Sequence, residues 1–227
     1  MIQLVAFFGN PGPTYSGNRH NAGQMLAESA SFLKPLEWQK KFKSLYASAT
    51  GDALASLALQ ALPADSAGQA AAADRPPRVH FVVPQTFMNL SGQAVQAAAS
   101  FFKIESGGVL VVHDELEIPL GTISLKYSGG LGGHNGLRSM KACFGTADFW
   151  RLRIGIGRPD ARLPGEGGPA GSGRGIADWV LSDFSSGELE TLHPALEAAG
   201  GLLLRIFSES PNALLEQGWA KKKIAPL

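Results

Sequence analysis

Four short stretches concentrate the side chains able to move protons or hold a polar ligand. The first carries Asn10, Tyr15, Arg19, His20 and Asn21; the second Gln85, Thr86, Met88 and Asn89; the third Asp114; the fourth runs from Ser128 to Gly136 and includes His134 and Asn135. The chemistry that suits this set is hydrolysis by an activated water. His20 is the best general base, because an imidazole changes charge near neutral pH. Asp114, at the end of an apolar run, can orient one ring nitrogen of that histidine and stabilise the imidazolium. Asn10, Asn89 and Asn135 supply neutral amide donors for a substrate carbonyl or for the oxyanion formed on it. The glycines from 129 to 136 let backbone come close to a ligand, just ahead of an expected helix start.

Taken singly, each residue has a plainer role. Asn10 before Pro-Gly is a turn former, Asn89 can cap a helix, Met88 can be core, Asp114 can pair with a cation, and His20 can cap a helix or sit on the surface. Other chemistries fit less well. The chain has no G-x-S-x-G elbow, no full dinucleotide fingerprint and no phosphate-binding G-x-x-x-x-G-K-[ST] loop. A metal site from His113, Asp114, Glu115 and His134 matches no ligand spacing, since adjacent strand residues point to opposite faces. No metal is expected.

These residues need elements to hold them. Apolar runs at 2–8, 79–83 and 108–113 read as buried strands, and 122–127 and 151–156 as further strands. Residues 42–49 and 53–61 read as a hairpin around Gly51-Asp52. Helices are expected at 21–33, 92–103, 135–144, 188–207 and 211–219; the fourth is a long amphipathic one with Leu189, Leu192, Leu196, Ala199, Leu203 and Ile206 on one stripe. The expected fold is α/β, with a mixed, largely parallel central sheet flanked by helices, where ligands gather beyond the carboxyl ends of strands. Residues 1–227 read as a single domain, with loop insertions at about 62–77 and 160–175.

Of the 227 residues 44% are hydrophobic and 17% charged, enough for a core and against disorder throughout. A net charge of +1 excludes a uniformly basic coat, though seven Lys or Arg against three acids lie between Arg138 and Arg174. The lone Cys143 precludes an internal disulfide, and the short apolar start is neither a leader nor a membrane span, so the cytoplasm is expected.

The segments FFGNPGPTYSGNRHNAG (7–23), PQTFMNLSGQAV (84–95), VVHDELEIPLGTISLKYSGGLGGHNGLRSM (111–140) and FWRLRIGIGRP (149–159) resemble the bacterial-type peptidyl-tRNA hydrolase family, in order and over nearly the whole chain. The resemblance implies cleavage of the ester joining a peptide to the 3′ end of tRNA, by His20 as base with Asp114 as its carboxylate. It further implies Asn10, Asn89 and Asn135 on the peptide and ester, Tyr15, Met88 and His134 along the same crevice, and Lys126 and Arg153 on tRNA phosphates. The partner implied is peptidyl-tRNA, held by its acceptor stem and 3′ end. No metal or organic cofactor, membrane or obligate protein partner is implied, and the chain is expected to be a monomer. The alternative is a non-catalytic tRNA- or RNA-binding module of the same fold. Departures include Asn18 and Leu131, and the arginines Arg158, Arg162 and Arg174 in or beside the second insertion are expected to add phosphate contacts.

Overall fold

A computed structural model describes residues 1–61, 76–159 and 173–224. Among the described residues eight strands form one sheet in the order β2-β3-β4-β1-β5-β7-β6-β8. They are β1 (Leu4–Phe7), β2 (Gln39–Lys41), β3 (Ser44–Thr50), β4 (Arg78–Pro84), β5 (Val109–Glu115), β6 (Thr122–Tyr127), β7 (Trp150–Gly155) and β8 (Lys222–Lys223). The four central strands are parallel, with Leu4 opposite both His80 and Val109 and Asp114 opposite Ile154; the pairings outside them are antiparallel. The sheet is therefore mixed, with the parallel part confined to its middle. The central runs are continuously apolar because both of their faces are covered.

Helices α1 (Ala22–Ser29), α2 (Gly51–Ala61) and α6 (Ser186–Ile206) cover one face. Their Leu26, Leu54, Ala58, Leu192, Leu196 and Leu203 pack on Val5, Phe7, Leu110, Val112 and Leu152. Helices α3 (Ser91–Phe102) and α4 (Asn135–Phe144) cover the other, where Val95, Ala98, Leu137 and Met140 meet Leu4, Ala6, Phe8 and Val111. Two further helices, α5 (Gly173–Val180) and α7 (Pro211–Leu214), flank α6 in the chain. Among the described residues no helix is long and apolar enough to cross a membrane.

The hairpin expected around Gly51-Asp52 is not there. Residues 51–61 form α2: Thr50 Oγ1 accepts from the Ala53 N–H, Asp52 sits in the first turn, and Leu54, Ala55 and Ala58 are buried at helical spacing. Runs of Ala and Leu are strong helix formers, and the period-two alternation was the weaker signal. The hairpin lies earlier, between β2 and β3, and turns at Phe42 and Lys43 with φ of 54° and 52°. A turn with two positive φ values favours Asn-Gly, so Phe-Lys leaves no mark in sequence. The insertions expected at 62–77 and 160–175 lie almost wholly outside the described residues; the end of the second, from residue 173, begins α5.

Candidate active site

The parallel strands point their carboxyl ends the same way, so the segments after β1, β4 and β5 meet at one edge of the sheet. There they line a cleft of about 800 Å³ with the start of α4 and one side of α5. At its floor His20, in a short 3-10 turn at Arg19–Asn21, faces Asp114 near the end of β5. His20 Nδ1 lies 2.9 and 3.0 Å from the two Asp114 carboxylate oxygens. The approach depends on Gly23: a Cβ there would stand 2.5 Å from the Val112 carbonyl oxygen and 2.6 Å from that of Phe8, so only glycine lets α1 settle on β1 and β5.

His134 is the other partner of Asp114, with Nε2 at 3.0 Å from Oδ1. It is also the N-cap of α4, where its Nδ1 accepts from the Gly136 and Leu137 N–H groups at 3.1 and 3.4 Å. That fixes the tautomer: the ring proton is on Nε2 and is donated to Asp114. Ligand atoms of His20, Asp114 and His134 lie within 4.8 Å of one another. A metal on His134 Nε2 would nevertheless demand an imidazolate, because Nδ1 is already an acceptor. The arrangement suits protons.

Burial by itself would lower the His20 pKa, but the charge of Asp114 and its hydrogen bond outweigh this and raise it above 6.5. Asp114 is 3% exposed; burial works against its charge, yet the two histidines hold its carboxyl well below the usual carboxylate range. Neighbouring His113, fully buried, is pushed well below 6.5, first by burial and then by His134. With Nδ1–H donated to Asp114, neutral His20 keeps its lone pair on Nε2. Among the described residues that nitrogen has no protein partner, and the ring borders the cleft.

Asn10 is held on both sides. Asn21 bonds the Asn10 backbone through Oδ1 at 2.9 Å and Nδ2 at 3.0 Å, and Asn10 Oδ1 accepts the Met88 N–H at 2.8 Å; among the described residues the Asn10 amide N–H₂ has no partner. Asn89 and Asn135 are exposed on the cleft wall, Met88 is buried behind it, and Tyr15 stands edge-on to Phe87 at the rim, 6.3 Å between centroids.

The peptidyl-tRNA hydrolase family matches residues 4–225. The chain belongs to this family. It is 39% identical over 231 aligned residues to the peptidyl-tRNA hydrolase of Treponema pallidum, covering 100% of this chain and 98% of that protein. To the peptidyl-tRNA hydrolase of Frankia casuarinae it is 45% identical over 198 residues, covering 86% and 83%. The fold is similar to a crystal structure of a peptidyl-tRNA hydrolase with N-propanol, with TM-score 0.74, 28% identity, and 97% and 96% of the two chains covered. It is likewise similar to the peptidyl-tRNA hydrolase of Acinetobacter baumannii, with TM-score 0.71, 28% identity, and 96% and 92% covered.

Of the residues singled out from the sequence, Asn10, Tyr15, His20, Met88, Asn89, Asp114, His134 and Asn135 all border the cleft. Lys126 and Arg153 lie elsewhere, on β6 and β7. Arg153 bonds Ser124 Oγ at 2.6 Å and stands 3.6 Å from Glu115. Arg158 reaches the cleft but is paired with Glu117; Arg162 and the side chain of Arg174 lie outside the described residues.

Sequence reasoning missed the wall formed by Ile176, Ala177, Val180 and Leu181 of and just after α5, hidden beside a glycine-rich stretch. It also gave no role to Arg19, which is 4% exposed. Its guanidinium bonds both Glu188 oxygens at 2.7 and 2.8 Å and the Asp183 carbonyl at 2.5 Å, and lies 3.7 Å from the Trp179 ring centre. The turn that carries His20 is thereby tied to the cleft wall.

Proposed function

We propose that this chain hydrolyses the ester of peptidyl-tRNA, freeing the peptide and recycling the tRNA, with His20 as the base. The observation that carries the reading is the buried His20–Asp114 pair at the cleft floor, with Nε2 turned to the ligand side. A water enters between His20 and the ester carbonyl, and Nε2 takes its proton as the oxygen bonds to carbon. Asp114 stabilises the imidazolium that results. The carbonyl oxygen gains the negative charge and receives the Asn10 amide N–H, preset by the Met88 bond to Oδ1. The tetrahedral adduct then collapses: the bond to the ribose oxygen breaks, and the imidazolium returns its proton to that oxygen. The products are a carboxylic acid and a tRNA with a free hydroxyl.

Asn89 and Asn135 hold the peptide backbone, which lets one cleft accept many side chains. Tyr15 and Met88 shape the place of the terminal nucleotide, and His134 steadies Asp114. Lys126 and Arg153, away from the cleft, meet phosphates of the tRNA. The enzyme works as a monomer, without metal or organic cofactor.

The test is hydrolysis of an N-blocked aminoacyl-tRNA by wild type and His20→Ala, with EDTA present. Wild-type cleavage and a loss of about 10²-fold or more in the variant are expected. Full activity in the variant refutes His20 as base; tRNA binding without wild-type cleavage would make the chain an RNA-binding module.

A further inference from the structure

The last strand of the sheet carries cations that the cleft does not use. Lys221, Lys222 and Lys223 are exposed, and β8 pairs antiparallel with β6 as Thr122↔Lys223 and Ile123↔Lys222. Residues opposite each other share a face of the sheet. Ile123 belongs to the core beneath α1, α2 and α6, so Lys222 takes that side, and its Nζ lies 4.2 Å from the ring centre of buried Trp219. Lys223 takes the other face with Thr122, Ser124 and Lys126, and Lys221 lies exposed in the bend that leads into β8. The backbone just before it is anchored, because the Ser124 hydroxyl donates to the Ala220 carbonyl.

Among the described residues Lys126, Lys221 and Lys223 form no ion pair, while Glu115, on the same face, is taken by Arg153. A chain with net charge +1 thus gathers unpaired cations at one edge. Residues two apart in a chain are at most about 7 Å apart, so Lys221 and Lys223 lie within reach of neighbouring phosphates of one nucleic-acid strand. In the order β5-β7-β6-β8 the edge lies three strand spacings, about 14 Å, from the strand bearing Asp114. That separation lets the unpaired 3′ end run to His20 while the paired stem lies over β6 and β8.

We propose that Lys221 and Lys223, with Lys126, form a phosphate track for the duplex part of the tRNA. This rests on the peptidyl-tRNA reading above. The competing role for lysines on an edge strand is to prevent pairing with another sheet.

The double variant Lys221→Gln/Lys223→Gln is compared with wild type, both full-length, over a series of KCl concentrations. Binding of deacylated tRNA and cleavage of N-blocked aminoacyl-tRNA are both measured. The slope of log affinity against log salt is expected to become shallower by about 1 to 2. KM is expected to rise several-fold at low salt with kcat unchanged, and Lys222→Gln to leave the slope unaltered. An unchanged slope in the double variant overturns the track, as does an equal loss in Lys222→Gln; self-association with an unchanged slope assigns the lysines to edge protection. Wild type that binds tRNA with the slope change but cleaves nothing overturns the hydrolase reading and leaves the track standing.

Discussion

At the scale of single residues, the site is a question of where two protons sit. His20 and His134 both address Asp114, yet they differ because His134 Nδ1 is committed to the first turn of α4. Of these two histidines, His20 is the one that offers a nitrogen to the cleft. Since Asp114 raises the His20 pKa above 6.5, activity should rise with pH through that raised value, as the imidazole loses its proton and becomes a base. Asp114→Asn removes the charge responsible. The acid limb of the kcat/KM profile should then move to lower pH while kcat falls by about 10²-fold or more, because the imidazolium loses its stabilising partner. A pH–rate series on both proteins checks this; an acid limb that stays put would mean that the limb belongs to another group. The residues that sequence marked at this scale, Asn10, His20, Asp114 and Asn135, do share one cleft. They were legible because polar side chains directly after apolar strands have little reason to recur in a mere connection. The clasp by Arg19 was not legible, since its partner Glu188 lies 169 residues on and nothing local announces the pair.

At the scale of elements, the cleft depends on α5 and on what ties it down. Trp179 donates from Nε1 to the Gly157 carbonyl at 2.9 Å and lies under the Arg19 guanidinium. Glu188 answers Arg19 and also completes the capping box of α6 with Ser185. Glu188→Gln keeps the shape and removes the charge, so stability should fall by up to about 1.5–3 kcal/mol, the scale of hydrogen bonds to a charged group. Because α5 supplies one wall, KM should also rise. Urea unfolding together with steady-state kinetics tests both; a stability loss with unaltered KM would show that the clasp serves the fold alone. The element misread from sequence, α2, shows the limit of short patterns. Residues 53–61 satisfy both an alternating and a helical spacing, and burial of Leu54 and Ala58 against α6 decides for helix.

At the scale of the whole molecule, several buried groups link stability to pH. Burial, then the charges of Arg78 and Lys41, lowers the His80 pKa from 6.5 to about 4, and His113 is lowered as well. A depressed histidine stays neutral in the folded chain while the unfolded chain takes up protons, so stability should fall as pH drops from 6.5 toward 4. His20, raised, acts in the opposite direction. Its contribution is complete below its unfolded value of about 6.5 and is lost as pH climbs through the folded value. Asp114 and Glu188 are depressed carboxylates, so theirs is present above about 4 and is lost on further acidification. The melting temperature should thus peak near pH 6.5. His80→Gln should flatten the decline between 6.5 and 4; an equally steep decline in that variant would remove His80 from the account.

Much of this protein was determined locally. The apolar runs made β1, β4, β5 and β7, the leucine stripe made α6, and Asn10 and His20 after β1 with Asp114 at the end of β5 pointed to one polar site. These features follow from short-range sterics, helical or strand periodicity, and the fact that parallel strands end on the same side. The tertiary structure alone decided the rest. It brought His20 to Asp114 across 94 residues and set the His134 tautomer through the start of α4. It also put Lys126 and Arg153 outside the cleft, and Lys223 beside β6 while Lys222 turned inward. Those outcomes depend on sheet register and on helices packed across long separations, and no local pattern carries that information.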